Sequence, residues 1–235
     1  MARAKKNILG LIPARGGSKG LRNKNIKLLD GKPLIYHTIS EALKSKLITD
    51  VVVSTDSDKI INISRQLNAK IHFKRPRYLA KDNTNIFSVI KHHLNWCSKR
   101  NNFYDCVVLL QPTSPFRNYL QIDECISLYY KKNKSTVVSI KELDHACNPE
   151  SLFILKEDTR IKRISSKKET RIRQKKKKYF ARNGPAILVL NPDFNDFDNI
   201  YSNDVHGYLM DQYASIDIDN EFDFSFAKFL LNELK

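Results

Sequence analysis

The sequence contains no CxxC pair, no GxGxxG, no Gly-Lys-Ser/Thr following four intervening residues and no apolar run of membrane-span length. Each absence excludes something. Cys97, Cys106, Cys125 and Cys147 have no zinc-finger spacing, and in a chain of 235 residues they are expected to be reduced thiols, which points to the cytoplasm. A membrane helix needs roughly 18–20 apolar residues, and the run at 7–12 is also too short for a signal peptide, so no membrane partner is expected. The missing P-loop and dinucleotide fingerprints exclude the two commonest glycine-rich phosphate motifs. Helix-turn-helix and RNP signatures are absent too, so nucleic acid is not an expected partner despite a net charge of +16. Glycine is scarce, seven in all, yet Gly16, Gly17 and Gly20 fall within five positions.

What is present is ample core material: 41% hydrophobic and 10% aromatic residues, enough for one folded domain over 1–235. The positive charge is concentrated. Residues 160–182 hold twelve Lys/Arg against the single acid Glu169, a net of +11, which leaves +5 for the rest of the chain. So dense a run with few aromatics reads as a solvated arm, a local anion site or an exposed loop.

Short β-branched runs alternate with helical periodicity. Strands are predicted at 7–13, 50–55, 71–73, 106–110, 135–140 and 185–190. Helices are predicted at 33–44, 57–67, 84–98 (capped by Asn83 or Thr84), 120–130 and 221–234. The order implies an α/β fold: a Rossmann-like three-layer sandwich with a mostly parallel sheet. The alternation fails over 141–182, which reads as an inserted arm. Ligands in such sheets bind beyond the carboxyl ends of the strands, so the loops at 14–25, 56–58 and 111–117 are the candidates. His92-His93 is expected to be a surface pair. Tyr129-Tyr130 and Phe222, Phe224, Phe226 and Phe229 are expected to pack.

The loop after the first strand, residues 13–25, carries those three glycines and the cations Arg15, Lys19, Arg22 and Lys24. Glycine lets backbone N–H groups approach an anion, and the cations neutralise phosphate. The alternative is a flexible basic loop. Near the other end, Asp217-Ile218-Asp219 in an extended segment puts two carboxylates on one face. They repel unless a cation such as Mg²⁺ lies between them; the alternative is that both are helix-capping acids.

Several segments then converge: Ile12-Pro13-Ala14-Arg15-Gly16-Gly17-Ser18-Lys19-Gly20 with Lys24-Asn25; Val53-Ser54-Thr55-Asp56; Arg75-Pro76 through Leu79-Ala80 to Asp82; Leu110-Gln111-Pro112-Thr113-Ser114-Pro115-Phe116-Arg117; Asn183-Gly184; and Ser215-Ile216-Asp217-Ile218-Asp219. In their joint order and spacing they resemble the acylneuraminate cytidylyltransferases (CMP-sialic acid synthetases) and relatives acting on sialic-acid-like sugars. The resemblance implies a nucleotidyltransferase domain that uses CTP and Mg²⁺ and releases pyrophosphate on forming a CMP-sugar. It implies a nonulosonic acid as the second substrate, and a homodimer whose inserted basic arm, 141–182, swaps onto the partner. By position, Arg15, Lys19 and Lys24 match phosphate-handling residues, and Ala14, Gly17, Ser18, Asn25 and Arg75 match nucleotide contacts. Gln111, Arg173 and Arg182 match sugar contacts, and Asp217 and Asp219 match the metal pair. The chain departs from the family at Asn183-Gly184-Pro185-Ala186, with an added proline, and at Ala181, where an arginine is common. The related octulosonate cytidylyltransferases lack the Gly-Gly-Ser-Lys-Gly form. A nucleic-acid-binding module and a catalytically silent sugar-nucleotide sensor are the rival readings.

Overall fold

The computed structural model describes residues 6–18, 20–165, 177–193, 201 and 204–233. Strand β1 (Ile8–Pro13) is buried on both faces, which is why its sequence is continuously apolar. The chain continues through a small ribbon, β2 (Leu28–Leu29) with β3 (Lys32–Pro33), into α1 (Leu34–Lys44), where Pro33 sits at the N-cap. Then come β4 (Asp50–Ser54), α2 (Asp58–Gln66), α3 (Ile86–Ser98), β5 (Cys106–Leu110) and α4 (Tyr119–Lys131). The last part holds β6 (Val137–Glu142), the hairpin β7 (Phe153–Leu155) and β8 (Ile161–Arg163), then β9 (Phe180–Arg182), β10 (Ile187–Leu190), β11 (His206–Leu209) and α5 (Glu221–Glu233).

The main sheet runs β11-β6-β10-β5-β1-β4, with β9 also on β6. Strands β4, β1, β5, β6 and β11 point one way, while β9 and β10 run antiparallel to their neighbours. After β1 the chain builds β4 on one side and later β5 on the other, so β1 is the topological switch point. Successive β1 residues feed opposite core layers. Ile8 and Ile12 join Ile35, Ile39 and Ile60 of α1 and α2 and Ile122 and Ile126 of α4, whereas Leu9 and Leu11 join Phe87, Ile90 and Cys97 of α3. These are the three layers. A smaller cluster, Leu21, Leu29, Leu34, Ile218, Phe224 and Ala227, anchors the glycine-rich loop to α5.

Several sequence expectations need correction. Residues 71–73 form no strand; Lys70 makes only an isolated parallel bridge to Val52. Helix α3 starts two residues later than expected, because Asn85 is its cap and accepts from Phe87 N at 3.0 Å. The break after 140 is not complete: β6 extends to Glu142, and β9 pairs Ala181 with Lys141 and Arg182 with Ile140, so both roots of the arm lie in the main sheet. Strand β11 carries alternate exposure and two residues of low β-propensity, His206 and Gly207, and was not anticipated. His93 is buried, not a surface residue, and of the phenylalanines in α5 only Phe224 is buried. Tyr129 packs fully into the core as expected. Among the described residues no helix is long and apolar enough to cross a membrane.

Candidate active site

The loops that follow β1, β4 and β5 meet in one cleft of about 580 Å³. Arg15, Ser18, Gly20, Lys24 and Asn25 come from the first loop, Arg75 from the segment after β4, and Gln111 and Thr113 from the loop after β5. Asp219 lines the same cleft, next to Gly20 and Lys24. Four cations, Arg15, Lys24, Arg75 and Lys81, face two carboxylates, Asp82 and Asp219, so the cleft carries a net positive field suited to an anion.

Local bonding explains how each group is held. Ala14 is buried, and its N–H donates to Ser54 O at 2.9 Å, so it serves the site only through backbone. Asn25 is also buried and donates from Nδ2 to Arg15 O at 3.0 Å; it braces the loop. Gly16 N donates to Asp56 Oδ1 at 2.8 Å, which ties the loop to the end of β4. At Gly20 a Cβ would meet Asp219 O at 2.5 Å, so only glycine permits this approach of the loop to the acidic segment. Arg15 reaches Asp82 Oδ1 at 2.6 Å. Arg75 is held from behind: Nε donates to Ser54 Oγ at 3.1 Å, and Nη2 donates to Ser54 O. Burial pushes its pKa down to about 10, helped by the charge of Arg15 and opposed by Asp56, and it stays cationic at neutral pH.

The acidic segment is extended without being a strand. Ile218 is fully buried, and its N–H donates to Thr113 O at 2.8 Å, which fixes the residues on either side. The capping question is resolved by Asn220 and Asp223. Asp223 N donates to Asn220 Oδ1 at 3.0 Å, and Asp223 Oδ2 accepts from Asn220 N at 3.1 Å and Asp219 N at 2.9 Å. The side chains of Asp217 and Asp219 are therefore not needed as caps. Burial pushes the Asp217 carboxyl above its usual range, and the nearby charges of Asp219 and Asp223 add to this, while Thr113 and Lys24 oppose it. Asp217 Oδ1 is buried without a hydrogen bond of good geometry among the described residues. Gly184, at φ +120°, passes close by; its Cβ would lie 3.3 Å from Asp217 Oδ2.

Three polar residues that sequence reasoning quoted in motifs but did not assign to the site support it. Arg117 is buried and donates to Ala186 O at 2.6 Å, to Gln111 O at 3.3 Å and to Thr38 Oγ1 at 2.8 Å. It locks the Gln111 loop to the start of β10. Asn183 is buried between Ser139 Oγ, at 2.6 Å, and Ser215 Oγ, at 3.0 Å, and so links β6 to the acidic segment. Asp82 pairs with Arg15. The available signal was an ionic or amide residue inside an otherwise apolar or Pro-rich stretch.

Gln111 lines the cleft and donates to Gly184 O at 3.4 Å. Arg182 does not line it; its guanidinium lies over the Tyr201 ring, 4.3 Å from the centroid. Lys19 and Arg173 lie outside the described residues.

A crevice at the carboxyl ends of parallel strands, lined by a basic glycine-rich loop and by Asp82 and Asp219, is an anion-binding site of an α/β fold. Comparison with known proteins makes this specific. The chain belongs to the cytidylyltransferase family, whose profile matches residues 9–229. It is 33% identical, over 94% of its length, to the N-acylneuraminate cytidylyltransferase of Escherichia coli, and spans about half (51%) of that longer protein. It is 32% identical to the CMP-N,N'-diacetyllegionaminic acid synthase of Legionella pneumophila, covering 95% of this chain and 96% of that one. A solved CMP:2-keto-3-deoxy-manno-octonic acid synthetase complexed with CTP superposes with a TM-score of 0.69 at 14% identity, covering 97% of this chain and 100% of that one, a likeness of fold.

Proposed function

We propose that the protein transfers CMP from CTP to the anomeric hydroxyl of a sialic-acid-like 2-keto-3-deoxy sugar acid and releases pyrophosphate. The observation that carries this reading is the meeting of Arg15, Lys24 and Arg75 with Asp219 in one cleft, with the half-buried Asp217 two residues away, in a chain of the cytidylyltransferase family. The relatives' names point to a nonulosonic acid as acceptor.

Arg15, Lys19 and Lys24 neutralise the triphosphate and the charge that develops on the departing pyrophosphate. Backbone at Ala14 and Gly17, with Ser18 and Asn25, shapes the loop around the nucleotide. Arg75, anchored on Ser54, presents a fixed cation. Gln111 faces the acceptor, joined by Arg173 or Arg182 from the arm.

The residues present fit a hard divalent cation. Burial, with the charge of Asp219 beside it, raises the proton affinity of Asp217, which has a buried oxygen without a good partner among the described residues. Asp217 and Asp219 are the proposed Mg²⁺ ligands. When bound, Mg²⁺ supplies charge neutralisation at the phosphates. The chemistry that remains is positioning: the chain holds an acceptor hydroxyl in line with the α-phosphorus.

The arm supports a homodimer. Its hairpin exposes Phe153, Ile154, Leu155, Ile161 and Ile164, an apolar surface left uncovered among the described residues. We place the protein in the cytoplasm, where its unpaired cysteines remain reduced. The test is pyrophosphate release on incubation with CTP, Mg²⁺ and a panel of nonulosonic acids. Release dependent on one class of acid supports the reading; no release with any member of the panel overturns it.

A further inference from the structure

A second cluster of ligating atoms lies on the opposite side of the sheet from α1, at the junction of α3 with the segment that leads to Arg75. His93 and Cys97 are four residues apart on α3 and project from one face. His72 comes to them from the segment after the Lys70 bridge. His72 Nδ1 is 3.1 Å from His93 Nε2 and 3.7 Å from Cys97 Sγ, and the three ligand atoms all lie within 4.8 Å of one another. His93 and Cys97 are buried and His72 is half-buried. We propose that His72, His93 and Cys97 form a zinc site that clips the 71–76 segment to α3.

The distances carry the argument. A tetrahedral zinc with bonds of about 2.05 Å to nitrogen and 2.3 Å to sulfur separates two nitrogens by ~3.3 Å and a nitrogen from a sulfur by ~3.6 Å. The observed separations of 3.1 and 3.7 Å lie close to these values. Two imidazoles and a thiolate are also a soft donor set that selects zinc over magnesium, so the site is chemically distinct from Asp217 and Asp219. Trp96 stacks on the His72 ring, with centroids 5.0 Å apart and planes at 19°, and so limits its rotation. Behind the cluster, Asp50 accepts from Tyr104 Oη at 2.7 Å, and its charge acts on His72, His93 and Cys97. On binding, the Cys97 thiol gives up its proton to solvent, the ring that donates in the His72–His93 hydrogen bond shifts its proton to its other nitrogen, and a water completes the tetrahedron. The consequence reaches the cleft, because the clipped segment ends at Arg75, whose N–H donates to Thr55 O at 2.7 Å.

The experiment uses the full chain with Cys147→Ser, which removes the one exposed thiol. The protein is stripped with chelator and titrated with cobalt(II). The expected result is a thiolate-to-cobalt charge-transfer band that saturates near about one equivalent and is displaced by zinc. Cys97→Ser should abolish the band, and His72→Gln should weaken cobalt binding by at least about 100-fold. Asp217→Asn should leave it intact. Zinc should raise the thermal midpoint of the parent and not of Cys97→Ser. Absence of the band in the parent at excess cobalt overturns the proposal without reference to any variant. So does a band that persists in Cys97→Ser.

Discussion

Lys24 and Asp219 hold each other at the mouth of the cleft, Nζ 3.0 Å from Oδ1, while the same ammonium donates to Ile218 O at 2.9 Å. A cation of the glycine-rich loop is thus paired with a proposed metal ligand before any substrate arrives. Lys24→Met frees the carboxylate and removes a phosphate contact at once. Mg²⁺ should bind the variant more tightly in the absence of CTP, while kcat/KM for CTP falls by about 10²–10³. Calorimetric Mg²⁺ titration beside steady-state kinetics checks both; unchanged values of either would break the link.

Asp217 yields a prediction with a sign. Its folded pKa is raised, so the fold binds that proton more tightly than the unfolded chain does. Ionising it therefore costs stability as the pH rises through the raised value, and the cost is absent below the unfolded value of about 3.9. In metal-free protein, Asp217→Asn should be more stable than wild type near neutral pH and equal to it in acid. Mg²⁺ should stabilise wild type and not the variant. Denaturation curves at the two pH values, with and without Mg²⁺, measure this, and activity should fall far more than stability changes.

Arg15 and Asp82 pair at 2.6 Å, but their side chains are 30% and 44% exposed, so the pair contributes no more than about 1 kcal/mol to folding. Arg15→Ala should leave the melting curve nearly unchanged and cost the transition state about 2–4 kcal/mol; Lys19→Ala should behave alike. Near-normal kcat/KM for CTP in both variants would falsify the phosphate role.

The arm makes a prediction about partners. An Asp217→Asn subunit mixed with an Arg173→Ala/Arg182→Ala subunit, each inactive alone, should regain a fraction of wild-type activity, because one site of each mixed dimer is intact. Lysines 175–178 should affect mainly on-rate and salt sensitivity. Mixed dimers without recovered activity would mean that the arm serves its own subunit.

The sheet was legible wherever strands are buried on both faces: β1, β5, β10 and the Val51–Val53 centre of β4 read as apolar runs because both faces meet the core. Edge strand β11 was not, because half of it faces solvent and its pattern is weak. The phosphate loop was visible because three glycines and four cations fall together. The braces were not, since Arg117 reaches Thr38 and Ala186, 79 and 69 positions away, and Asn183 reaches Ser139 and Ser215, 44 and 32 positions away, separations that no local pattern encodes. His93 was misplaced for a related reason: adjacent histidines on a helix point in different directions, and the partner that buries one of them, His72, lies 21 residues back.

The account's central claim is that this cleft moves CMP from CTP directly to a sugar acid. An acid-quenched single turnover with CTP labelled at the α-phosphate, Mg²⁺ and the acceptor that supports pyrophosphate release tests it most directly. The account predicts that all transferred label appears in the CMP-sugar, that none stays on the protein, and that Asp217→Asn transfers none. Label retained on the protein, or CMP formed at the same rate without the acceptor, would contradict it.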